Sequence, residues 1–156
     1  MKNTSGHCMD TCKCAFATAV LCTIWMMAAT LLELPGWAGF AGCTAYFAAP
    51  WKGARNLPKT FACVGSGIVY AMLSLMAAQF MSGQAVGLFM TFLTTFLMCA
   101  AGNIGFLAFV PGAFIGSFSI FASGGETKAA VSILVGVLLG FACDSFGRFL
   151  CRMKKE

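Results

Sequence analysis

The stretch from Phe61 to Gly125 contains no Lys, Arg, Asp, Glu or His over 65 residues. A water-soluble domain needs charged residues to cover its surface, whereas one charge at the centre of a bilayer costs about 2.5–3.5 kcal/mol. A helix that spans the hydrocarbon core uses about 20 residues, so this stretch holds about three spans. Only 10% of the whole chain is charged, against about 25% in soluble domains. The sequence therefore predicts an all-α membrane protein.

Hydrophobic segments recur along the chain and predict about six transmembrane helices. They cover residues 14–34, 36–51, 61–80, 85–101, 104–123 and 129–147. The first apolar run is longer than the apolar core of a secretory signal peptide, so we interpret it as an uncleaved span. The second segment is short, and the fifth is interrupted by Pro111-Gly112. The prediction is a transmembrane domain at residues 14–147 between a polar tail (1–13) and a basic tail (148–156).

The basic residues orient these spans. With six crossings, nine of the ten Lys and Arg fall on one side of the membrane, and only Lys128 falls on the other. The positive-inside rule makes the side with nine the cytoplasmic one. If the second or the fifth segment failed to cross, basic residues would lie outside, so both termini are predicted to be cytoplasmic. The cysteines are then expected to stay reduced, because cytosolic thiols do.

The two halves of the chain echo one another around two Pro-Gly pairs. Four residues recur at an offset of 74, with Phe40, Gly42, Phe47 and Ala48 matching Phe114, Gly116, Phe121 and Ala122. The spans that follow match at an offset of 71, as in Val64 and Val135. Repeats at 14–80 and 85–147 with three spans each would be inverted, a common plan of transporters and channels with short or broken helices near the midplane. Chance similarity in a chain rich in Gly, Ala and Phe is the alternative.

Two segments carry a resemblance to a known family, GWAGFAGCTAYFA at residues 36–48 and FVPGAFIG at residues 109–116. They resemble a family of bacterial inner-membrane proteins catalogued as a domain of unknown function, number ten-ninety-seven. The resemblance covers most of the chain, from about Cys14 to Gly147. It implies a small multi-span protein of the bacterial inner membrane. The family supplies no activity, so the function must be argued from the residues.

Catalysis is not indicated by the polar residues. The one His lies in the polar N-terminus and the five acidic residues fall near span ends or in loops, so no acid–base pair meets within the membrane. A Ser or Cys nucleophile in a span would have no oriented base. We therefore predict that the chain is not an enzyme and needs no cofactor. His7-Cys8 with Cys12 and Cys14 offers ligands to a soft metal, but the spacing matches no established pattern, and a solvated tail with reduced thiols is preferred.

Polar and aromatic residues at the span ends have ordinary interpretations. Glu33 and Asp144 are interpreted as interfacial carboxylates, with Asp144 placed to pair with Arg148 at i,i+4. A vestibule charge or a contact between subunits is the alternative for either one. Three aromatic residues of the second segment are expected to anchor it at the interfaces: Trp37, Tyr46 and Trp51.

The missing buried charge argues against ion-coupled transport and leaves a passive path for a small neutral or weakly polar solute. The candidate constrictions are Phe40, Phe47, Phe114 and Phe121. Close backbone approach is expected at Gly42 and Gly116, and Pro111 is a further candidate for lining the path. The candidate hydroxyls are Thr44, Ser117 and Ser119, with Thr91, Thr94 and Thr95 in the fourth span. For each of these residues the alternative is helix packing or a hydrogen bond to its own backbone.

Three functions remain compatible with the sequence. The first is an oligomeric channel or passive facilitator, and the second is a membrane scaffold or accessory subunit that does not transport. The third is a secondary transporter, which lacks a coupling group. Small residues let helices associate in lipid, and their abundance predicts further copies of the chain as partners. Lipid and a small solute are the other expected partners, and nucleic acid is not expected.

Overall fold

The structure is a computed structural model that describes residues 4–51, 53–80 and 83–152. These residues form six α-helices and no strand. The helices are α1 (Thr4–Leu31), α2 (Gly36–Ala48), α3 (Asn56–Phe80), α4 (Gln84–Ala101), α5 (Val110–Ala122) and α6 (Thr127–Arg152). A short 3₁₀ turn at Gly53–Arg55 precedes α3. The all-helical architecture with six helices is therefore confirmed.

The helices fall into two length classes. Within α1 the stretch Cys12–Leu31, and α3, α4 and α6 over their full lengths, are long and apolar enough to cross a membrane. The helices α2 and α5 have only 13 residues each. At 1.5 Å per residue each is about 20 Å long, while the hydrocarbon core is about 30 Å thick. The prediction that the second and fifth helices are short is confirmed.

The fifth helix begins later than the sequence suggested. We expected a span over 104–123 interrupted at Pro111-Gly112, but α5 begins at Val110 with the proline in its first turn. Proline is tolerated there because the first N–H groups of a helix have no partner within the helix. The residues before it form turns, in which Asn103 N donates to Ala100 O at 3.2 Å. The Pro-Gly pair thus starts the helix and does not break it.

The first and last helices run antiparallel along each other. Lys13 Nζ donates to Leu150 O at 3.3 Å at one end of the pair, and Lys128 Nζ donates to Glu33 Oε2 at 3.0 Å at the other. The beginning of α1 and the end of α6 therefore lie at the same end of the bundle. We call this the basic end, defined by the described residues Lys13, Arg55, Lys59, Arg148 and Arg152, and we call the end with Glu33 and Lys128 the opposite end.

The short helix α2 runs parallel to α6. Ser132 Oγ donates to Pro35 O at 2.7 Å at the start of α2, and Tyr46 Oη donates to Asp144 Oδ2 at 3.0 Å near its end. The helix α3 then starts beside the end of α2, where Asn56 Nδ2 donates to Tyr46 O at 3.1 Å. The chain thus returns from the opposite end to the basic end along α2.

The short helix α5 packs in the same manner on α3. Cys63 Sγ lies 3.6 Å from Phe106 O just before α5 begins, and the end of α5 leads to Gly125, where an added Cβ would lie 3.0 Å from Leu75. Both helices run in the same direction. Each short helix therefore packs on the third helix of the other half of the chain.

Glycines bring the two helices of each pair into direct backbone contact. A Cβ added to Gly42 would overlap the carbonyl oxygen of Ile133 in α6, and one added to Gly116 would overlap that of Val64 in α3. Backbone thus lies directly against backbone at both crossings. Such close approach through small residues is how helices associate in lipid, where the hydrophobic effect between them is weak.

The third helices contribute equivalent glycines to the same contacts. A Cβ on Gly136 would overlap the backbone of Gly39, and one on Gly67 would overlap that of Ala113. Gly39 and Ala113 keep the offset of 74, whereas Gly67 and Gly136 are 69 residues apart. The structure therefore aligns α3 with α6 at 69 and not at the offset of 71 suggested by the sequence. An inverted duplication is not confirmed by these contacts and stays a prediction.

Candidate functional site

Both short helices present a row of large side chains on the outside of the protein. Phe40, Thr44 and Phe47 lie at i, i+4 and i+7 of α2, and all three are exposed. The same spacing recurs in α5 with Phe114, Phe118 and Phe121. The five phenylalanines of these aromatic rows are between 37% and 52% exposed. The rows lie on one face of each helix because three or four residues separate neighbours on a helix surface.

The opposite faces of the same helices are buried. Gly42 and Cys43 of α2 face inward, as do Gly116, Ser117 and Ser119 of α5. Ser119 Oγ donates to Ile115 O at 2.8 Å, the ordinary i−4 bond of a helical serine. The side chains of Thr91 and Thr94 in α4 do the same with Gly87 and Met90.

The sequence candidates for a solute path therefore divide into two groups. The phenylalanines, Thr44 and Pro111 lie outside, while the glycines and serines lie in helix contacts. The four predicted constrictions do not meet in the interior of a single chain. Their role as lining residues stays a prediction, and in this structure it requires a path along the outer surface of the protomer.

A cavity of about 230 Å³ with both polar and apolar walls lies at the basic end. It is lined by Tyr46, Phe47, Ala49, Trp51, Gly53, Asn56, Asp144 and Arg148. Asp144 makes two polar contacts in the wall of this cavity. One of its carboxylate oxygens accepts from Tyr46 Oη at 3.0 Å and lies 2.7 Å from an Arg148 guanidinium nitrogen. The predicted i,i+4 pairing of Asp144 with Arg148 is confirmed.

Two further contacts hold the walls of this cavity. Thr60 Oγ1 donates to Asn56 Oδ1 at 3.0 Å, which fixes the asparagine that donates to α2. Lys59 Nζ lies 4.7 Å from the ring centre of Trp51, a cation–π contact. These contacts tie the end of α2 to the start of α3. The cavity is thus built from α2, α3 and α6 together.

The structure corrects the assignment of Tyr46 as an interfacial anchor. Its side chain is only 2% exposed, because the phenol reaches Asp144 on α6 and its ring packs edge-on against Phe47 and Phe141. A tyrosine near a span end is typical of an anchor. The acceptor that draws it inside lies 98 residues away in the sequence, so no local pattern reveals it.

The opposite end carries a single exposed ion pair among the described residues, between Glu33 and Lys128 at 3.0 Å. Lys128 holds the pKa of the Glu33 carboxyl below its ordinary value of 4.5, first through the hydrogen bond and then through its charge. Glu33 has a φ of 51°, and Leu34 N donates to Ala29 O at 2.8 Å across it. This is the left-handed residue that ends a helix, a position usually taken by glycine.

Three cysteines from different helices meet in the half of the bundle nearer the basic end. The Sγ atoms of Cys22, Cys43 and Cys143 all lie within 4.8 Å of one another. Sequence reasoning missed this group because its members come from α1, α2 and α6. The N-terminal group that it considered, His7-Cys8 with Cys12 and Cys14, stays untested, since the side chains of His7 and Cys8 lie outside the described residues.

The structure is that of a multi-pass helical membrane protein. It has apolar helices of spanning length, two shorter helices between them, and charges at the two ends of the bundle. Comparison with known proteins supports this class. Residues 15–148 match the family described as "Protein of unknown function (DUF1097)", and the chain belongs to this family. The resemblance seen in the two glycine-rich segments is thereby confirmed.

Two curated relatives share the name "Inner membrane protein YcdZ". The one from Escherichia coli (strain K12) is 38% identical over 138 residues, which is 87% of this chain and 85% of the relative. The one from Salmonella typhimurium (strain LT2) is 34% identical over 144 residues, which is 91% and 90%. No solved structure matches the chain. These relatives and the apolar helices support a multi-pass protein of the inner membrane.

Proposed function

We propose that the protein is an oligomeric channel or passive facilitator for a small neutral or weakly polar solute, and that it is not an enzyme. The observation that carries this proposal is the pair of exposed aromatic rows on α2 and α5. These rows lie on the two helices that are too short to cross the hydrocarbon core. The solute path runs along them, between copies of the chain.

The length of the two helices supports a protein cover over the rows. Each falls about 10 Å short of the hydrocarbon thickness. The chain beside them is irregular, as in the turns at 102–109 before α5. Irregular backbone is not found facing lipid at membrane depth, but it is tolerated where protein or a water-filled cavity covers it. A ring of copies with the aromatic rows turned toward a common axis meets this requirement.

The chemistry of the rows fits a solute without charge. Phenylalanine rings form apolar constrictions, and Thr44 adds a hydroxyl within the α2 row. Such a path selects by width and by the cost of removing water from the solute. An ion would pay a large desolvation penalty there, because no described charged side chain lies along the rows. The charges of Asp144 and Arg148 stand at the basic end, where they would meet solute in water.

We further propose how the protein is oriented in the membrane. The basic end carries Lys13, Arg55, Lys59, Arg148 and Arg152, whereas the opposite end pairs its Lys128 with Glu33. The positive-inside rule favours the basic end in the cytoplasm, together with both termini. The exchange of partners between the halves, α2 on α6 and α5 on α3, is also what an inverted repeat would produce.

The experiment is stopped-flow light scattering on proteoliposomes that contain the purified protein. The panel of solutes is urea, formamide, glycerol and ammonia. The test variants are Phe47→Trp and Phe121→Trp, one in each aromatic row. Phe96→Trp is the matched control, because Phe96 is 59% exposed but lies on α4. We expect permeability above that of empty liposomes for at least one solute, reduced in both test variants and unchanged in the control.

The second candidate function is an accessory subunit that does not transport. The observation in its favour is the closed packing within the chain, because α2 meets α6 and α5 meets α3 backbone to backbone and no path passes between the helices at these crossings. No flux for any solute from a folded oligomer would support this function and contradict the first. A pull-down from the native membrane would then identify the partner. Equal loss of flux in Phe96→Trp would instead show that the aromatic rows do not form the path.

A further inference from the structure

The cluster of Cys22, Cys43 and Cys143 joins three helices at one point. Each residue offers one sulfur, and the three sulfurs lie within 4.8 Å of one another. Cys43 is 6% and Cys143 is 1% exposed, while Cys22 is half-buried and leaves the cluster reachable from α1. Cysteine is a small apolar residue that suits tight helix contacts, so packing alone is the alternative account of this meeting.

We propose that these three cysteines bind one Cu(I) ion. The ligands are thiolates, so each cysteine releases its thiol proton to solvent when its Cu–S bond forms. Soft thiolate ligands select soft ions such as Cu(I). In a trigonal arrangement with metal–sulfur bonds of about 2.3 Å, the sulfurs would be about 4.0 Å apart. The sulfurs in the structure therefore need to close by less than about 1 Å. Side-chain rotation within the cluster supplies a movement of this size without any change of helix position.

The surroundings favour an ion of low coordination number. The cluster contains no His or carboxylate among the described residues. Asp144 follows Cys143 in the sequence, but its carboxylate is turned toward Tyr46 and Arg148. A structural Zn²⁺ site would need a fourth ligand, and hard ions such as Mg²⁺ or Ca²⁺ would need oxygen ligands. Three thiols alone match a three-coordinate soft ion.

A second thiol contact lies on the same pair of helices. Cys14 Sγ and Cys151 Sγ are 3.8 Å apart between α1 and α6. They precede Cys22 and follow Cys143 by eight residues each, which is about 12 Å of helix toward the basic end. Thiols therefore occur both in the cluster and nearer the basic end on the same two helices.

The test uses full-length protein in detergent, kept reduced and free of oxygen. The other cysteines near the basic end are first removed by Cys8→Ser, Cys12→Ser, Cys14→Ser and Cys151→Ser. Cu(I) is then titrated into this background protein against a coloured chelator that competes for it. We expect one Cu(I) per chain, and X-ray absorption that shows three sulfur neighbours at about 2.3 Å.

Ligand variants then locate the ion. Adding Cys22→Ser, Cys43→Ser or Cys143→Ser should each lower the affinity by at least the roughly 10–100-fold that loss of an outer-shell partner costs. Cys99→Ser on α4 is the matched control and should leave the affinity unchanged. Size-exclusion chromatography checks that each variant keeps the elution volume of the background protein. If the two buried variants fail to fold, the half-buried Cys22→Ser and the sulfur count decide.

Several results would overturn the site. The background protein would bind no Cu(I), or its copper would show only two sulfur neighbours. Affinity would be unchanged in Cys22→Ser, or it would fall equally in Cys99→Ser. A parallel titration in which Zn²⁺ binds and Cu(I) does not would overturn the assignment of the ion. Failure of the solute-flux experiment has no bearing on this result, because binding is measured without transport.

Discussion

Replacing Gly42 or Gly116 with alanine tests the backbone contacts that hold the two halves together. A Cβ at Gly42 would overlap the carbonyl oxygen of Ile133, and one at Gly116 would overlap that of Val64. The obstacle in each case is backbone, so no side-chain rotation relieves it. The two helices must separate by more than about 1 Å before the contact becomes an ordinary one.

The expected cost follows from two opposing effects. Overpacking of a well-packed contact costs about 1–3 kcal/mol. Alanine in place of a helical glycine returns about 0.5–1 kcal/mol through lower backbone entropy of the unfolded chain. The net expectation for Gly42→Ala and for Gly116→Ala is a loss of about 0–2.5 kcal/mol in the free energy of unfolding.

Two other glycines provide the control. Gly65 in α3 and Gly87 in α4 are also helical, but an added Cβ at either site meets nothing within 4 Å. Gly65→Ala and Gly87→Ala should therefore leave stability unchanged or raise it. The assay is reversible unfolding in mixed micelles with increasing SDS, followed by circular dichroism. If Gly42→Ala and Gly116→Ala were as stable as the two controls, the proposed backbone contacts would be refuted.

Two further predictions concern polar contacts at the two ends of the bundle. Tyr46→Phe removes the hydrogen bond to the Asp144 carboxylate. It should lower the free energy of unfolding by about 1.5–3 kcal/mol in the same SDS assay. Tyr70→Phe is the control, and equal stability of the two variants would contradict a stabilising role for this hydrogen bond. Because Lys128 lowers the pKa of Glu33 in the folded state, the stability from this pair is present above pH 4.5 and is lost as the pH falls through the folded-state pKa. Thermal melts at decreasing pH should show a small extra loss below pH 4.5 in the wild-type protein that Glu33→Gln lacks, and identical profiles would show that the pair has no effect.

The sequence was sufficient for the helices because bilayer insertion depends on local composition. The charge-free stretch from Phe61 to Gly125 predicted helices in that region, and three of the six lie mostly within it. The short second and fifth helices were also visible, since Pro35 and Pro111 mark where each can begin. The role of Pro111 was misjudged, because a proline within an apolar run can start a helix as well as interrupt one.

Helix partners could not be predicted, because nearly every helix offers small residues. Gly42 of α2 packs on α6, but α3 and α4 also contain glycines, and nothing in the sequence favours α6 over them as the partner of α2. The choice depends on how two surfaces fit over their whole length, which no local pattern records. The same limit hid the buried Tyr46, whose acceptor Asp144 is distant in the chain.

The candidate site was only partly visible for the same reason. The sequence singled out Phe40, Phe47, Phe114 and Phe121, and the structure places them on the same face of equivalent helices. It did not reveal that this face is the outer one, because periodicity shows which residues share a face but not what covers it. The cysteine cluster was invisible, since its three members share no local spacing.

The exchange of partners between the two halves also sets an order for biogenesis. The helix α2 enters the membrane early in synthesis, but the surface that receives its glycines and Tyr46 belongs to α6, the last helix to be made. Until then the short helix has its contact with α1, where Trp25 Nε1 donates to Gly36 O at 3.1 Å, but it lacks the backbone contact at Gly42 and the acceptor for Tyr46. The helix α5, in contrast, finds α3 already inserted when it leaves the ribosome. The packing of the amino-terminal half is therefore completed by the final helix. In a nascent chain that stops before α6, α2 lacks the helix on which it packs in the complete protein.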